Sequence, residues 1–330
     1  MKNAVYFMGI DVGSVSTNFV IIDEDDNVVE KIYIKTGGKP INAIRRGMIM
    51  LSEALDNSVN IKGVGATGSG RQLASVVIGA DSVKNEITSH AVAAQRLVPD
   101  VSTIIEIGGQ DSKIILIRNG VVYDFAMNTV CAAGTGSFLD RQAARLEIPI
   151  EKLGEYALRS DLPVRIAGRC AVFAESDMIH KQQAGHNLED IINGLCEALV
   201  RNYLNNLAKG KEILEPVIFQ GGVAANVGIA AAFERELGKK IIIPEHYNVM
   251  GAYGAALIAK EKIQNKGIKT NFYGFEICEK DLKARNFECG DCPNACEIIE
   301  IMSDGNLLAR WGDRCGKWSD ISKVSEAANG

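Results

Sequence analysis

Short apolar stretches alternate along the chain with longer stretches of helical periodicity. Residues 5–10 are apolar, residues 11–14 (Asp-Val-Gly-Ser) are typical of a turn, and residues 17–22 are rich in β-formers. The same strand–turn–strand pattern returns at residues 103–117, after which Asn119-Gly120 predicts a tight hairpin. Because this unit occurs twice, each time with an acid and glycines at its turn, it predicts two related domains that face each other.

The segments outside these hairpins complete an α/β pattern. Helices are predicted at residues 41–55, 134–146, 171–184, 188–207, 228–237 and 250–263, and further strands at residues 62–66, 216–219 and 241–243. We expect a first domain at residues 1–97 and a second at residues 98–263, whose last helix packs back on the first. Residues 264–330 are expected to form a linker and a cysteine-rich tail.

Composition narrows the class of protein. A hydrophobic content of 47% and a charged content of 23% are typical of a globular protein. The net charge of −5 and the absence of a basic stripe give no reason to expect nucleic acid as a partner. No apolar run approaches the roughly 20 residues that span a bilayer, and the first residues lead directly into a strand. We therefore expect a cytoplasmic protein without a signal peptide or a membrane partner.

The eight cysteines are unevenly distributed, which suggests two separate uses. In a cytoplasmic chain they indicate metal ligands or catalytic groups rather than disulfides. Three lie in the α/β region and five in the last fifth of the chain, namely Cys131, Cys170 and Cys196, then Cys278, Cys289, Cys292, Cys296 and Cys315.

Cys131 and Cys170 each stand directly before a predicted helix. The first lies in Asn-Thr-Val-Cys-Ala-Ala-Gly-Thr-Gly, and the second in Ala-Gly-Arg-Cys-Ala-Val-Phe-Ala-Glu-Ser. A helix start has free N–H groups and a positive dipole, so it favours a thiolate or an anionic cluster. Cys196 lies inside a predicted helix and is expected to be a core residue.

Three glycine-containing turns are candidates for binding phosphate. Around Asp11, backbone N–H groups can approach phosphates and the acid can hold Mg²⁺ through water. The second turn adds Gln110, which is suited to orient an attacking water. The third turn precedes a helix and suits an adenosine contact.

The candidate catalytic residues are Asp11, Glu106, Gln110 and Asp111. The candidate nucleotide-binding residues are Gly13, Ser14, Val15, Ser16, Gly108, Gly109, Gly134, Thr135, Gly136, Gly221, Gly222, Ala225 and Asn226.

Three such turns in this order resemble those of the sugar kinase, Hsp70 and actin ATPase superfamily. The resemblance implies phosphate contacts from residues 11–16 and 108–111 and an adenosine contact from residues 221–226. It also implies duplicated ribonuclease-H-like domains around a cleft for ATP or ADP with Mg²⁺, here followed by a small cysteine-rich metal module.

The motifs Gly-Gly-Gln-Asp, Cys-Ala-Ala-Gly-Thr-Gly and Phe-Ala-Glu-Ser, in this order, resemble one branch of that superfamily. This branch contains the activator ATPases of 2-hydroxyacyl-CoA dehydratases and the ATPase subunits of benzoyl-CoA reductase. The resemblance covers about residues 5–262 and implies a homodimer that shares one [4Fe–4S] cluster, with Cys131 and Cys170 as each subunit's ligands. A cubane cluster needs four thiolates, and two-fold symmetry would supply the second pair. Many of these activators carry Lys where this chain has Asn18.

The tail cysteines form a second candidate metal site. Cys289, Cys292, Cys296 and Cys315 have the spacing of metal ligands, and both zinc and an iron–sulfur cluster are compatible with them. Cys278 could be an alternative ligand. The tail is similar to the segment that follows the ATPase module in longer activase-like proteins.

The resemblance implies an oxygen-sensitive, ATP-driven electron donor of very low potential. Reduced ferredoxin or flavodoxin would supply the electron, and the acceptor would be an iron–sulfur dehydratase, a benzoyl-CoA-type reductase or a double-cubane protein. Two alternatives remain open from the residues. One is a small-molecule kinase of the same superfamily, and the other is a zinc-stapled nucleotide-binding regulator.

Overall fold

A computed structural model describes residues 5–55, 59–128 and 132–318, with all side chains in these ranges except those of Cys278 and Glu279. The first half is a five-stranded sheet in the order β3-β2-β1-β4-β5, in which β4 and β5 are parallel to β1 and the other strands form antiparallel hairpins. Its elements are β1 (Val5–Val12), β2 (Ser16–Ile22), β3 (Val28–Lys35), α1 (Pro40–Ala54), β4 (Asn60–Thr67), α2 (Arg71–Ile78), β5 (Ser82–Val83) and α3 (Glu86–Leu97).

The second half repeats this sheet in the order β10-β9-β6-β7-β8, so that β6 takes the place of β1. The duplication predicted from the two hairpins is therefore confirmed. Its strands are β6 (Thr103–Ile107), β7 (Ser112–Arg118), β8 (Val121–Asn128), β9 (Val217–Gln220) and β10 (Ile241–Ile242). Its helices are α4 (Gly136–Arg145), α5 (Leu153–Leu158), α6 (Ala171–Gln183), α7 (Leu188–Tyr203), α8 (Val227–Leu237) and α9 (Met250–Lys266).

Strand β7 shows how the second sheet is held between helices. Ile114 and Leu116 pack into a core that includes residues of α4 and α7, whereas Ile115 and Ile117 pack into a core that includes residues of α3 and α9. Burial of each such side chain stabilises the fold by about 1.5–3 kcal/mol. Covered on both faces, the sheet offers its strand ends and turns to ligands.

Helix α9 belongs to the second half of the chain but lies against the first sheet. Gly9 of β1 allows this close approach, since a Cβ there would lie 1.8 Å from the Ala252 carbonyl oxygen. Gly65 of β4 faces Ala255 in the same way, with 2.0 Å between a Cβ and the carbonyl oxygen. The helix therefore ties the two halves together beside their turns.

The tail forms a third, antiparallel sheet of β11 (Leu282–Glu288), β12 (Glu297–Ser303) and β13 (Asn306–Trp311). Ile277 and Leu282 are buried in the core of the first sheet. The segment expected to be a linker differs from the expectation, because α9 continues to Lys266 and the following residues dock on Asp81. The Thr270 hydroxyl donates to the Asp81 carboxylate at 2.7 Å. The tail thus shares a core with the first half, which its few large apolar residues did not predict.

Across the described part of the chain, no helix combines the length and the apolar character needed to cross a membrane.

Candidate nucleotide-binding site

The turns of the two sheets meet at a cleft of about 280 Å³. It brings together the four predicted catalytic residues and six of the predicted phosphate-binding residues. The lining includes Asp11, Gly13, Ser14, Val15, Ser16, Glu106, Gly108, Gly109, Gln110 and Asp111, together with Asn18, Glu86, His90, Lys113, Gly221 and Gly222.

The first turn places Asp11 at the end of β1. The Gly13 N–H donates to the Ser16 carbonyl at 2.9 Å, which closes the turn. The Asp11 carboxylate fits between two glycines, because a Cβ on Gly251 would lie 2.1 Å from Oδ2 and one on Gly68 would lie 2.4 Å from Oδ1. Gly68 also has a φ of +90°, which favours glycine. These small residues are what leave room for an acid at this position.

The second turn places Glu106 at the end of β6 and Asp111 just beyond the glycines. The Gly108 N–H donates to the Asp111 carbonyl at 3.0 Å and closes the turn. Gln110 is exposed to the cleft, where a side-chain amide is able to orient a water molecule.

Lys113 is a cleft residue that the sequence analysis did not identify. Its ammonium Nζ lies 2.8 Å from Asp111 Oδ2, 2.9 Å from Glu106 Oε2 and 3.0 Å from Glu86 Oε2. Only 3% of its side chain is exposed. The signal that could have revealed it is a lysine at the start of an otherwise apolar strand, since a buried lysine needs an acidic partner.

Burial and the neighbouring charges shift the pKa values of the ionisable groups in this cleft. Burial raises the pKa of Asp11 to about 7, with a further contribution from Glu86. Burial likewise raises the pKa of Glu106 to about 7, although Lys113 opposes it. For Lys113 burial lowers the pKa, but the three carboxylates outweigh burial and hold the pKa far above its ordinary value. The two acids therefore titrate near neutral pH beside a permanent ammonium.

His90 and Asn18 are neutral side chains that also line the cleft. Burial, followed by the charge of Lys113, lowers the pKa of His90 to about 3, so its imidazole is neutral. The Gln220 amide nitrogen lies 2.7 Å from His90 Nδ1. Asn18 is buried and its Oδ1 has no hydrogen-bond partner. Together with the Asp11 carboxylate, such oxygens fit a hydrated Mg²⁺.

The residues of the third turn have two different roles. Gly221 and Gly222 line the cleft, whereas Ala225 and Asn226 do not. Asn226 instead caps α8, accepting from the Ile229 N–H at 3.1 Å.

The second turn is hydrogen-bonded directly to the start of α4. The Gly136 N–H donates to the Gly108 carbonyl and the Ser137 N–H to the Gly109 carbonyl, each at 2.9 Å. Gly134 and Thr135 lie in this connection, where the Thr135 hydroxyl donates to the Ala132 carbonyl at 2.8 Å. Gly134, Thr135 and Gly136 therefore lie next to the second turn but do not line the cleft.

The structure places Cys170 where it was predicted, as the N-cap of α6, partly exposed. Cys131 lies outside the described residues. The helices that follow the two cysteines are joined because Glu175 of α6 contacts Arg141 and Arg145 of α4 at 3.1 and 2.8 Å.

A second cavity, of about 370 Å³, lies between α4 and α6. Ala132 and Ala171, the residues after the two cysteines, both line it. Gln142 faces it from α4, fully buried and without a partner for either its amide oxygen or its amide nitrogen. The cavity between α4 and α6 thus contains an unsatisfied polar group.

The tail cysteines lie around the β11–β12 hairpin. The Cys289 N–H donates to the Cys296 carbonyl at 2.8 Å, Cys292 lies exposed in the loop between them, and Cys315 lies exposed after β13. The Trp318 indole N–H donates to Cys289 Sγ at 3.2 Å. Within residues 5–55, 59–128 and 132–318, no three His, Cys, Asp or Glu side chains are arranged to hold a metal ion. The tail metal site stays a prediction.

Two duplicated sheets around an acidic cleft, with glycine turns from both halves, define an ATPase of the actin-like class. The chain belongs to the BadF/BadG/BcrA/BcrD ATPase family, which it matches over residues 8–259.

Two relatives are each 36% identical to this chain. They are the (R)-2-hydroxyglutaryl-CoA dehydratase activating ATPase of Acidaminococcus fermentans, over 259 residues, and the 2-hydroxyisocaproyl-CoA dehydratase activator of Clostridioides difficile, over 256 residues. The matches cover 78% and 77% of this chain and 98% and 95% of those proteins.

Solved structures agree with this assignment. The crystal structure of component A of the A. fermentans (R)-2-hydroxyglutaryl-CoA dehydratase matches with a TM-score of 0.72 at 35% identity, over 79% of this chain and 99% of that chain. The Clostridium difficile activator of 2-hydroxyisocaproyl-CoA dehydratase with bound ADPNP matches with a TM-score of 0.71 at 34% identity, over 80% and 98%. The family match ends before the tail.

Proposed function

We propose that the protein is an ATP-dependent, low-potential electron donor that activates an iron–sulfur acyl-CoA dehydratase or a related reductase. The observation that carries this proposal is the pair of hydrogen bonds from Gly136 and Ser137 to the carbonyls of Gly108 and Gly109. A change at the phosphate-binding turn therefore reaches the start of α4 without an intervening residue. The segment that leads into α4 contains Cys131.

The helices that follow the two cysteines in the sequence are joined by ion pairs. Cys170 caps α6, whose N–H groups favour a thiolate or a bound anion by about 0.3–1 kcal/mol. Because Glu175 joins α6 to Arg141 and Arg145 of α4, displacement of one helix would displace the other. A [4Fe–4S] cluster bound by Cys131 and Cys170 of two subunits would supply one-electron transfer.

We expect a second copy of the chain to cover the surface around Cys170. Val172 and Phe173 are 68% and 65% exposed on the first turn of α6, which is unusual for apolar side chains beside a polar helix start. In a two-fold dimer these side chains would be covered and the two Cys170 helix starts would face each other. The donor would be reduced ferredoxin or flavodoxin, and the tail would hold a zinc or iron–sulfur site.

The test is the anaerobic iron, sulfide and zinc content of the reconstituted protein and its variants. The wild type is expected to carry one four-iron cluster per dimer, and Cys131→Ala and Cys170→Ala to lose it while keeping the tail metal. Cys196→Ala is the matched control, because Cys196 is buried in the core and burial raises the pKa of its thiol to about 12. Unchanged iron in Cys131→Ala, or an iron-free wild type, would contradict the proposal.

A further inference from the structure

The charges that line the cleft are unbalanced. Four carboxylates, those of Asp11, Glu86, Glu106 and Asp111, accompany the single ammonium of Lys113 among the described lining residues. His90 contributes no charge, since its pKa lies at about 3. A bound triphosphate would add further negative charge. Binding of nucleotide therefore requires cations, and among the described lining residues Lys113 provides one.

The Lys113 ammonium is fully engaged by carboxylates of the cleft. An ammonium has three donors, and the three carboxylate oxygens of Glu86, Glu106 and Asp111 lie 2.8–3.0 Å from Nζ. Its backbone is held separately, because the buried Tyr203 hydroxyl donates to the Lys113 carbonyl at 2.6 Å. The side chain can thus exchange partners while the strand stays in place.

A divalent cation would compete for the same oxygens. Mg²⁺ binds carboxylate oxygens at about 2.0–2.1 Å, closer than these oxygens lie to the ammonium. In the described ranges the acids are not arranged as a metal site, which agrees with their spacing around Nζ. Asn18, which lines the cleft, adds a buried Oδ1 that has no hydrogen-bond partner.

We propose that Lys113 is an internal counter-cation that keeps free divalent metal out of the nucleotide-free cleft. When nucleotide enters with its metal, the metal takes over the charge of the carboxylates, and the Lys113 ammonium donates to a phosphate oxygen instead. Metal and nucleotide then bind together and neither binds well alone. The proposal rests on the ATP-binding cleft and is independent of the iron–sulfur cluster.

The test is Mn²⁺ binding without nucleotide at pH 8, followed by electron paramagnetic resonance, because carboxylates bind Mn²⁺ as they bind Mg²⁺. Lys113→Met and Lys113→Gln are expected to bind Mn²⁺ at least tenfold more tightly than the wild type. Lys113→Arg keeps the charge and should bind as weakly as the wild type. Lys84→Met, which removes an exposed lysine near α3, should also leave the affinity unchanged. Adding Glu106→Gln to Lys113→Met should abolish the gain.

The wild type provides a test that requires no variant. Its affinity for Mn²⁺ is expected to rise at least a hundredfold when ADP is present. Equal affinity with and without ADP would overturn the proposal, as would unchanged or weaker Mn²⁺ binding in the two neutral variants. A failed iron measurement would refute the electron-donor function and leave these metal affinities unaffected.

Discussion

The two hairpins of the duplicated fold place an acid and its cross-strand neighbour at the same register. Asp11 lies opposite Asn18 in the first sheet, and Glu106 lies opposite Lys113 in the second. In the first hairpin the neighbour is a neutral amide with an unpartnered oxygen, whereas in the second it is an ammonium with three carboxylate partners. One scaffold thus supplies a neutral acceptor from one half and a positive charge from the other.

A second difference lies two residues before each acid. Gly9 precedes Asp11, whereas Ile104 precedes Glu106. The glycine allows α9 to contact β1 backbone to backbone, and the isoleucine packs into a core between helices and the second sheet. Duplication therefore preserves the strand order, while single residues decide what each sheet binds or covers.

The largest expected effect comes from making the two strands alike. Gly9→Ile should lower the free energy of unfolding by about 4 kcal/mol or more, because a Cβ there would overlap the Ala252 carbonyl oxygen. Ile104→Val, at the equivalent position, should cost only about 0.5–1.5 kcal/mol. Urea denaturation measures both changes. Similar costs for the two variants would show that α9 does not depend on the glycine.

The next largest effect concerns the acids themselves. Asp11→Asn should reduce the ATPase rate about 100-fold, and Glu106→Gln at least about tenfold, because each removes a carboxylate that we propose to bind the metal of the nucleotide. Asp25→Asn, in an exposed turn outside the cleft, is the control and should retain full activity. A wild-type ATPase rate in either cleft variant would show that the substituted acid is not catalytic.

How far the sequence predicts this site depends on whether a contact is local. Asp11, Glu106, Gln110 and Asp111 all line the cleft as expected, and Cys170 caps a helix, because turns and helix starts leave short-range signals. Glu86 and Lys113 escaped prediction because they meet only when α3 packs beside the second sheet. The docking of Thr270 on Asp81 is likewise a tertiary contact without a local signal. The predicted domain boundaries stay predictions.

Ionisation of Asp11 should destabilise the folded state. Its pKa is raised in the folded protein, so its ionisation opposes folding, and this cost appears as the pH rises from about 4 to about 7. Without nucleotide at pH 8, Asp11→Asn should therefore have a higher melting temperature than the wild type, and the difference should shrink toward pH 5. Differential scanning calorimetry at the two pH values provides the comparison, and a lower melting temperature at pH 8 would contradict the assigned charge cost.

The smallest expected effect tests whether the two cross-strand neighbours are interchangeable. We propose that Asp11 and Glu106 bind the metal of the nucleotide, for which protons would compete, so kcat/KM for ATP should fall below an apparent pKa near 7. Asn18→Lys would place an ammonium opposite Asp11, as Lys113 stands opposite Glu106. It should lower that midpoint by about one unit, which corresponds to about 1.4 kcal/mol. Asn18→Met has a similar length without the charge and should leave the midpoint unchanged. If both variants shift the profile equally, the amide acts by its shape, and the contrast in charge between the two hairpins is not what sets the titration.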